Sequence, residues 1–148
     1  FISTGDAVQE HFYAHNCEPY FRAPHIYLMF PWRFVPGRKF HKNWSDHGIS
    51  EILFMTSRDG INFDRRFMEA FVRPGPDLFN WGDRSNLKSR GILQTGKAEL
   101  SIYYSEHYRS TTCRLRRATL RLDGFSSISL NILIKLISVV ALVIAPLL

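Results

Sequence analysis

The stretch Glu51-Ile52-Leu53-Phe54-Met55-Thr56-Ser57-Arg58-Asp59-Gly60-Ile61-Asn62-Phe63-Asp64-Arg65 decides how this chain reads. A continuous apolar run of branched and aromatic residues is stopped by Ser-Arg-Asp-Gly and resumes as Ile-Asn-Phe. That is the pattern of a strand, a tight turn and a returning strand, because Asp and Gly tolerate the positive φ such a turn needs. Asp59 reads as the turn former, its side chain closing on its own backbone while Gly60 supplies the left-handed residue.

Upstream, Ala23 to Phe34 predicts another strand, apolar on both faces from Ile26 to Phe30 and bounded by Pro24 and Pro31, as in the middle of stacked sheets. Between the two lies a polar, basic loop from Val35 to Ser50, too long for a simple hairpin. It carries Trp44-Ser45-Asp46-His47-Gly48, and loops of this length inside compact domains are usually functional or mobile. Downstream, Phe67 to Arg73 runs into the break Pro74-Gly75-Pro76-Asp77, and residues 77–90 form an irregular connection with Trp81, Arg84, Asn86 and Arg90 available for polar contacts. Strands resume at Gly91 to Gln94 and, after a turn at Thr95-Gly96-Lys97, at Glu99 to Ser105, where Leu100, Ile102 and Tyr104 share one face. In Cys113 to Leu122 the apolar phase flips between Arg116 and Arg117. The flip predicts a β-bulge or tight reversal, which makes Arg116 or Arg117 a candidate pocket-facing cation, with exposed arginines on an outer strand as the alternative.

The composition agrees with sheet. Aromatic residues make up 14% of the 148 residues, with 12 Phe, 6 Tyr and 3 Trp. The net charge of +6 is spread from Arg22 to Arg121 without a basic run, which suits solvated strand faces, and nucleic acid is not an expected partner. Cys17 and Cys113 allow one disulfide or none. His11, His15, Cys17 and Glu18 lack a second ligand pair at a zinc-like spacing, so neither metal nor cofactor is expected.

The opening Phe1-Ile2-Ser3 carries no start signal and reads as that of a fragment or a processed piece. After Phe125 the composition changes, and residues 128–148 carry one charge, Lys135. The run is long enough to cross a bilayer, which needs about 20 predominantly apolar residues. A membrane anchor, a buried helix or strand pair, and an end unrelated to the preceding domain all remain open for it. The domain division is thus 1–126 and 127–148, and a secreted, periplasmic or membrane-tethered location fits it.

Residues 23–66 and 90–122 each hold strands, tight turns and aromatic inner runs, compatible with two consecutive antiparallel sheets of about four strands, the blade unit of a propeller. A sandwich fits the strands nearly as well, and the long connection from Arg73 to Arg90 between the units favours the propeller. The expected fold is all-β, a partial propeller of about two blades. The runs Ala23-Pro24-His25, Phe54-Met55-Thr56-Ser57-Arg58-Asp59-Gly60, Ala70-Phe71-Val72-Arg73-Pro74-Gly75, Asn80-Trp81, Glu99-Leu100-Ser101-Ile102-Tyr103-Tyr104 and Leu115 to Phe125 carry a resemblance. Over residues 19–126 their order resembles bacterial proteins related to the five-bladed propeller glycoside hydrolases, families 32 and 43, of the invertase and arabinanase type.

That resemblance implies that the chain is part of a five-bladed propeller, with a funnel-shaped sugar site built from carboxylates on several blades, and hydrolysis of O-glycosyl bonds. The Asn-Asp-Pro-Asn and Arg-Asp-Pro signatures of the invertase type are absent, and His25 stands where the arabinanase type commonly has Asp. Glycoside cleavage needs one carboxylic acid and a second carboxylate across the ring. Asp46 and Glu106, each at a strand-to-loop boundary beside a His and an aromatic, are the candidates, with His25 as a third catalytic position. Trp44 and Trp81 are candidate stacking platforms, and Arg84, Asn86 and His107 candidate hydroxyl partners for a carbohydrate. Convergence of Asp46, Glu106 and His25 on one concave surface distinguishes an enzyme from a non-catalytic propeller module, which a membrane segment at 128–148 would tether.

Overall fold

The computed structural model describes residues 10–38, 48–65 and 69–125. Trp44 and Asp46, and with them one catalytic and one stacking candidate, lie outside the described residues. So does the apolar tail with its membrane-spanning expectation. The described chain is all-β apart from one 3-10 turn at Leu78–Asn80. Its strands are β1 (His11–Tyr13), β2 (Cys17–Tyr20), β3 (Ala23–Met29), β4 (Trp32–Val35), β5 (Ile49–Ile52), β6 (Met55–Ser57), β7 (Leu93–Gly96), β8 (Glu99–Glu106) and β9 (Arg114–Arg121). They form three small sheets, ordered β1-β4-β5, β2-β3-β6 and β7-β8-β9, in place of the two four-stranded sheets expected. The chain divides into two compact units, one of residues up to Gly91 with Tyr103–Arg117, the other of Ile92–Ile102 with residues from Ala118 onward.

In the first unit, β1 and β2, β3 and β4, and β5 and β6 are the two halves of three successive antiparallel chain passes. β1 pairs with β4 and β4 with β5, while β2 pairs with β3 and β3 with β6. Each pass bends in the middle, so the runs Ala23 to Phe34 and Glu51 to Thr56, which read as single strands, each change sheet half-way. The physical reason is visible at the bend. Pro31 has no N–H to donate to a ladder, and there the passes are joined by single bonds, Phe30 N–H to the His15 carbonyl (3.1 Å) and Leu53 N–H to the Pro31 carbonyl (3.1 Å). Phe30, Phe54 and Phe71 pack at the same point with ring centroids 5.2–5.6 Å apart. Single bridges, Thr56 to Asp64 and Ile52 to Val72, mark a fourth pass on the far side of β5 and β6.

That position explains the burial of the quoted stretch. With a pass on either side, every residue from Ile49 to Met55 is buried, and Leu53 and Met55 join Met29 and Phe63 in a core cluster. The turn that follows is closed by side chains. Asp59 Oδ1 accepts from the amides of Ile61 (2.9 Å) and Asn62 (2.8 Å) and from the Ser57 hydroxyl (2.9 Å), and Ser57 Oγ accepts from the Gly60 amide (2.9 Å). Gly60 takes φ +74°, and the backbone N–H bonds, that from Asn62 foremost, hold the Asp59 carboxyl well below the usual carboxylate range. Asp59→Ala is therefore expected to raise amide hydrogen exchange at Ile61 and Asn62 while leaving the amides of β5 protected. An unchanged pattern at Ile61 and Asn62 refutes the assignment of Asp59 as the turn former.

In the second unit β7 pairs with the first half of β8, Leu93 opposite Ser101 and Gln94 opposite Leu100, with a register shift before Gly96. β9 runs unbroken from Arg114 to Arg121, with Ala118 and Leu120 half-buried and Leu115 left 67% exposed. Cys17 and Cys113 are both free thiols, and burial, helped by the Glu18 charge, pushes the Cys17 thiol up from its ordinary value.

Candidate functional site: an aromatic cleft

The pleat of the β1-β4-β5 sheet separates two environments. Tyr13 lies opposite Trp32, and Phe34, two residues along from Trp32, lies opposite Ser50. Because alternate residues share a face, these four side chains come out on the same side, and they line one wall of a cleft of about 410 Å³. Gly48 makes room for Phe34: a Cβ there would lie 2.7 Å from the Phe34 ring, and the residue sits at φ +150°. The residues in between, Phe12, Arg33 and Glu51, face the other way. There Arg33 and Glu51 are buried in an ion network completed by Glu10, Arg65 and Arg38, with the Arg65 guanidinium 5.5 Å from the Phe12 ring centroid.

The facing wall comes from two loops. Residues 83–87 contribute Asp83, Arg84 and Leu87, and Tyr108 comes from the loop after β8. Arg84 and Asn86 adopt left-handed backbone, φ +61° and +62°, a conformation that costs a non-glycine residue free energy and needs surrounding support. Ser50 Oγ accepts from the Arg84 amide (2.9 Å), the Ser105 hydroxyl donates to the Arg84 carbonyl (3.0 Å), and the fully buried Asn86 amide donates to the carbonyls of Ser50 (3.1 Å) and Asn80 (3.0 Å). The Asp83 carboxylate takes a two-pronged bond from Arg109, at 2.5 and 2.9 Å. The Arg84 guanidinium lies over the Tyr108 ring at 5.7 Å.

Tyr108 is held by what precedes it. His107, itself at φ +56° and buried, spans from Asp77 Oδ2 (2.8 Å from Nε2) to the Thr112 hydroxyl (2.7 Å from Nδ1). Asp77 also caps the 3-10 turn by accepting from the Phe79 amide (3.1 Å), and the His107 bond is the main reason its carboxyl sits below the ordinary value. The carboxylate–imidazole–hydroxyl line fastens the loop after β8 to the loop before the cleft. Glu106, next in the chain, is buried and accepts from Arg114 Nε (2.9 Å) and the Tyr104 hydroxyl (3.3 Å), with Arg116 Nε 3.4 Å away.

Of the residues singled out from sequence, Arg84, Asn86, Glu106 and His107 are joined through this hydrogen-bonded array. Only Arg84 among them lines the cleft; Asn86 and His107 position the loops, and the carboxylate of Glu106 is engaged by Arg114 and Tyr104. Trp81 donates its indole N–H to the Gly75 carbonyl (2.8 Å) and so closes a turn. His25 is exposed on β3. Tyr13, Trp32, Phe34, Asp83 and Tyr108 were not legible as site residues. For Trp32 and Phe34 a signal did exist: Pro31 restarts the strand, and counted from it Trp-Arg-Phe-Val alternates.

No protein-family model, curated protein or solved structure matches this chain.

Proposed function

We propose that this chain binds carbohydrate in the aromatic cleft and acts as a non-catalytic module with the blade construction of a propeller. The observation that carries the proposal is the composition of the cleft: its walls are lined by the aromatic rings of Trp32, Phe34, Tyr13 and Tyr108 and by the planar charged groups of Asp83 and Arg84. A sugar ring presents C–H faces that stack on aromatic rings and a rim of hydroxyls that bonds to such groups, and binding sites generally combine apolar walls with a few convergent polar groups. The bent antiparallel passes of the first unit, with single bridges marking a fourth, support the blade reading.

Hydrolysis would ask for a second free carboxylate. Among the described residues the cleft is lined by one acid, Asp83, which is bound by Arg109, and the Glu106 carboxylate is bound by Arg114 and Tyr104. Binding therefore has more support than cleavage.

Trp32→Ala is expected to weaken binding of the best ligand from a panel of plant and bacterial oligosaccharides by on the order of 2 kcal/mol, as removal of a central aromatic anchor does. The measurement is calorimetric titration of both proteins, with thermal melts confirming that each is folded. Failure of the whole panel to bind the wild-type chain, or equal affinity of the two proteins, overturns the proposal.

A further inference from the structure

We infer that the cleft selects an acidic sugar, a hexuronate unit whose carboxylate is received by Arg84; this rests on the carbohydrate reading above. The charges at the cleft edge are unequally committed. Asp83 is matched by the fork of Arg109, two parallel N–H to oxygen bonds, so its negative charge is answered from outside the cleft. Arg84 comes no closer to that carboxylate than 3.7 Å, and its side chain is 59% exposed. The net charge presented at the cleft edge is thus the positive charge of Arg84.

The backbone under Arg84 makes the placement specific. At this left-handed residue the Arg84 amide is held by Ser50 and its carbonyl by Ser105, and its guanidinium lies 5.7 Å from the centre of the Tyr108 ring. A guanidinium at that distance over a ring still has N–H groups to give a planar acceptor, and a carboxylate matches two of them bidentately where a hydroxyl does not. A pyranose stacked on the cleft aromatics carries its C-6 substituent at the ring periphery, which is where a cation at the cleft edge meets a uronate. The overall charge of +6 adds attraction toward an acidic polysaccharide.

The test compares trigalacturonate with the neutral galactose trimer of matching linkage, titrated into the whole chain, into Arg84→Gln, into Arg84→Lys and into Arg73→Gln. The last removes one exposed charge outside the cleft as a control. The acidic trimer is expected to bind the wild type about tenfold more tightly than the neutral one, the margin a charge-assisted bond supplies. That preference is expected to shrink with added salt, to vanish in Arg84→Gln, to fall partway in Arg84→Lys and to persist in Arg73→Gln. Equal binding of both trimers to the wild type overturns the acidic-sugar inference and leaves the carbohydrate reading standing. A preference that survives Arg84→Gln overturns the role of Arg84. Binding of neither trimer, together with failure of the wider panel, overturns both.

Discussion

Glu51→Gln is expected to lower the unfolding free energy by about 3 kcal/mol, the lower end of what breaking a buried ion pair costs. Glu51 is 2% exposed at the centre of β5, and its two carboxylate oxygens are bound by Arg33 and Arg38. Gln is nearly isosteric, so packing is kept and the loss is electrostatic: Arg33, 9% exposed, then keeps Glu10 as a carboxylate partner. The penalty stays below the maximum because that partner survives. Replacing both residues, Arg33→Met with Glu51→Met, is expected to recover most of the loss, since two apolar side chains of similar length no longer require a charge to be desolvated. Urea unfolding of wild type, Arg33→Met, Glu51→Met and the double variant supplies the cycle, with Glu51→Gln measured beside it. A double variant no more stable than Glu51→Gln shows that the network is needed for its geometry rather than compensated for its charge.

This network also bears on the cleft. Arg33 and Glu51 occupy the alternate positions of the strands whose other face carries Trp32, Phe34 and Ser50. A register slip of one residue would put the ion pairs into the cleft and the aromatics against the buried arginines. The charges thus specify which face of the sheet is which, a role that the apolar side chains of the double variant cannot fill. Weakened ligand binding by that variant, at recovered stability, is the expected sign of it.

The all-β class and the Asp59 turn were legible because both are local: aromatic and branched runs, and a side chain closing on amides two and three residues away. The division of those runs between sheets was not, since it depends on where three passes bend together, and only Pro31 carries a trace of it in the sequence. The site was harder still. Glu106 and His107 were singled out for their chemistry, but their partners Arg114, Asp77 and Thr112 lie up to 30 residues away in sequence, and those partners turn both residues into supports. Asn86 looked like a hydroxyl ligand because its amide is a good one, and burial against Ser50 and Asn80 spends that amide on the fold. Arg84 differs from these in keeping its side chain 59% exposed on the wall of the cleft.

The pH dependence of stability should carry the signature of one buried amine. Lys88 is fully buried, with its ammonium 4.7 Å from the centre of the Phe30 ring and bonded to the carbonyls of Ser89 (3.0 Å) and Gly91 (2.8 Å). Desolvation lowers its pKa from 10.5 to about 8, against the opposing attraction of Glu18, whose Oε1 is buried with no hydrogen-bond partner among the described residues. In the unfolded chain the lysine holds its proton to about pH 10.4. Between the two values the unfolded state binds the extra proton, so unfolding becomes harder as pH rises, and the stability present above the unfolded value is lost as pH falls through about 8. The rise amounts to about 3 kcal/mol over that window. Tyr104 acts in the opposite sense: burial and the neighbouring Glu106 raise its pKa, so the unfolded chain loses that proton first and stability falls above about pH 10. The expected profile climbs from pH 8 and turns over near 10. Lys88→Met keeps the length of the side chain, leaves two carbonyls that water can reach at exposed Ser89 and half-buried Gly91, and is expected to abolish the climb while retaining the alkaline fall. A climb that persists in Lys88→Met assigns the titration to another group. Because the Lys88 carbonyl accepts the indole N–H of Trp32 (3.2 Å), the same substitution also reports whether the state of the buried amine reaches the cleft. Trp32 fluorescence that follows the Lys88 titration in wild type and is flat in Lys88→Met is the result that links the two.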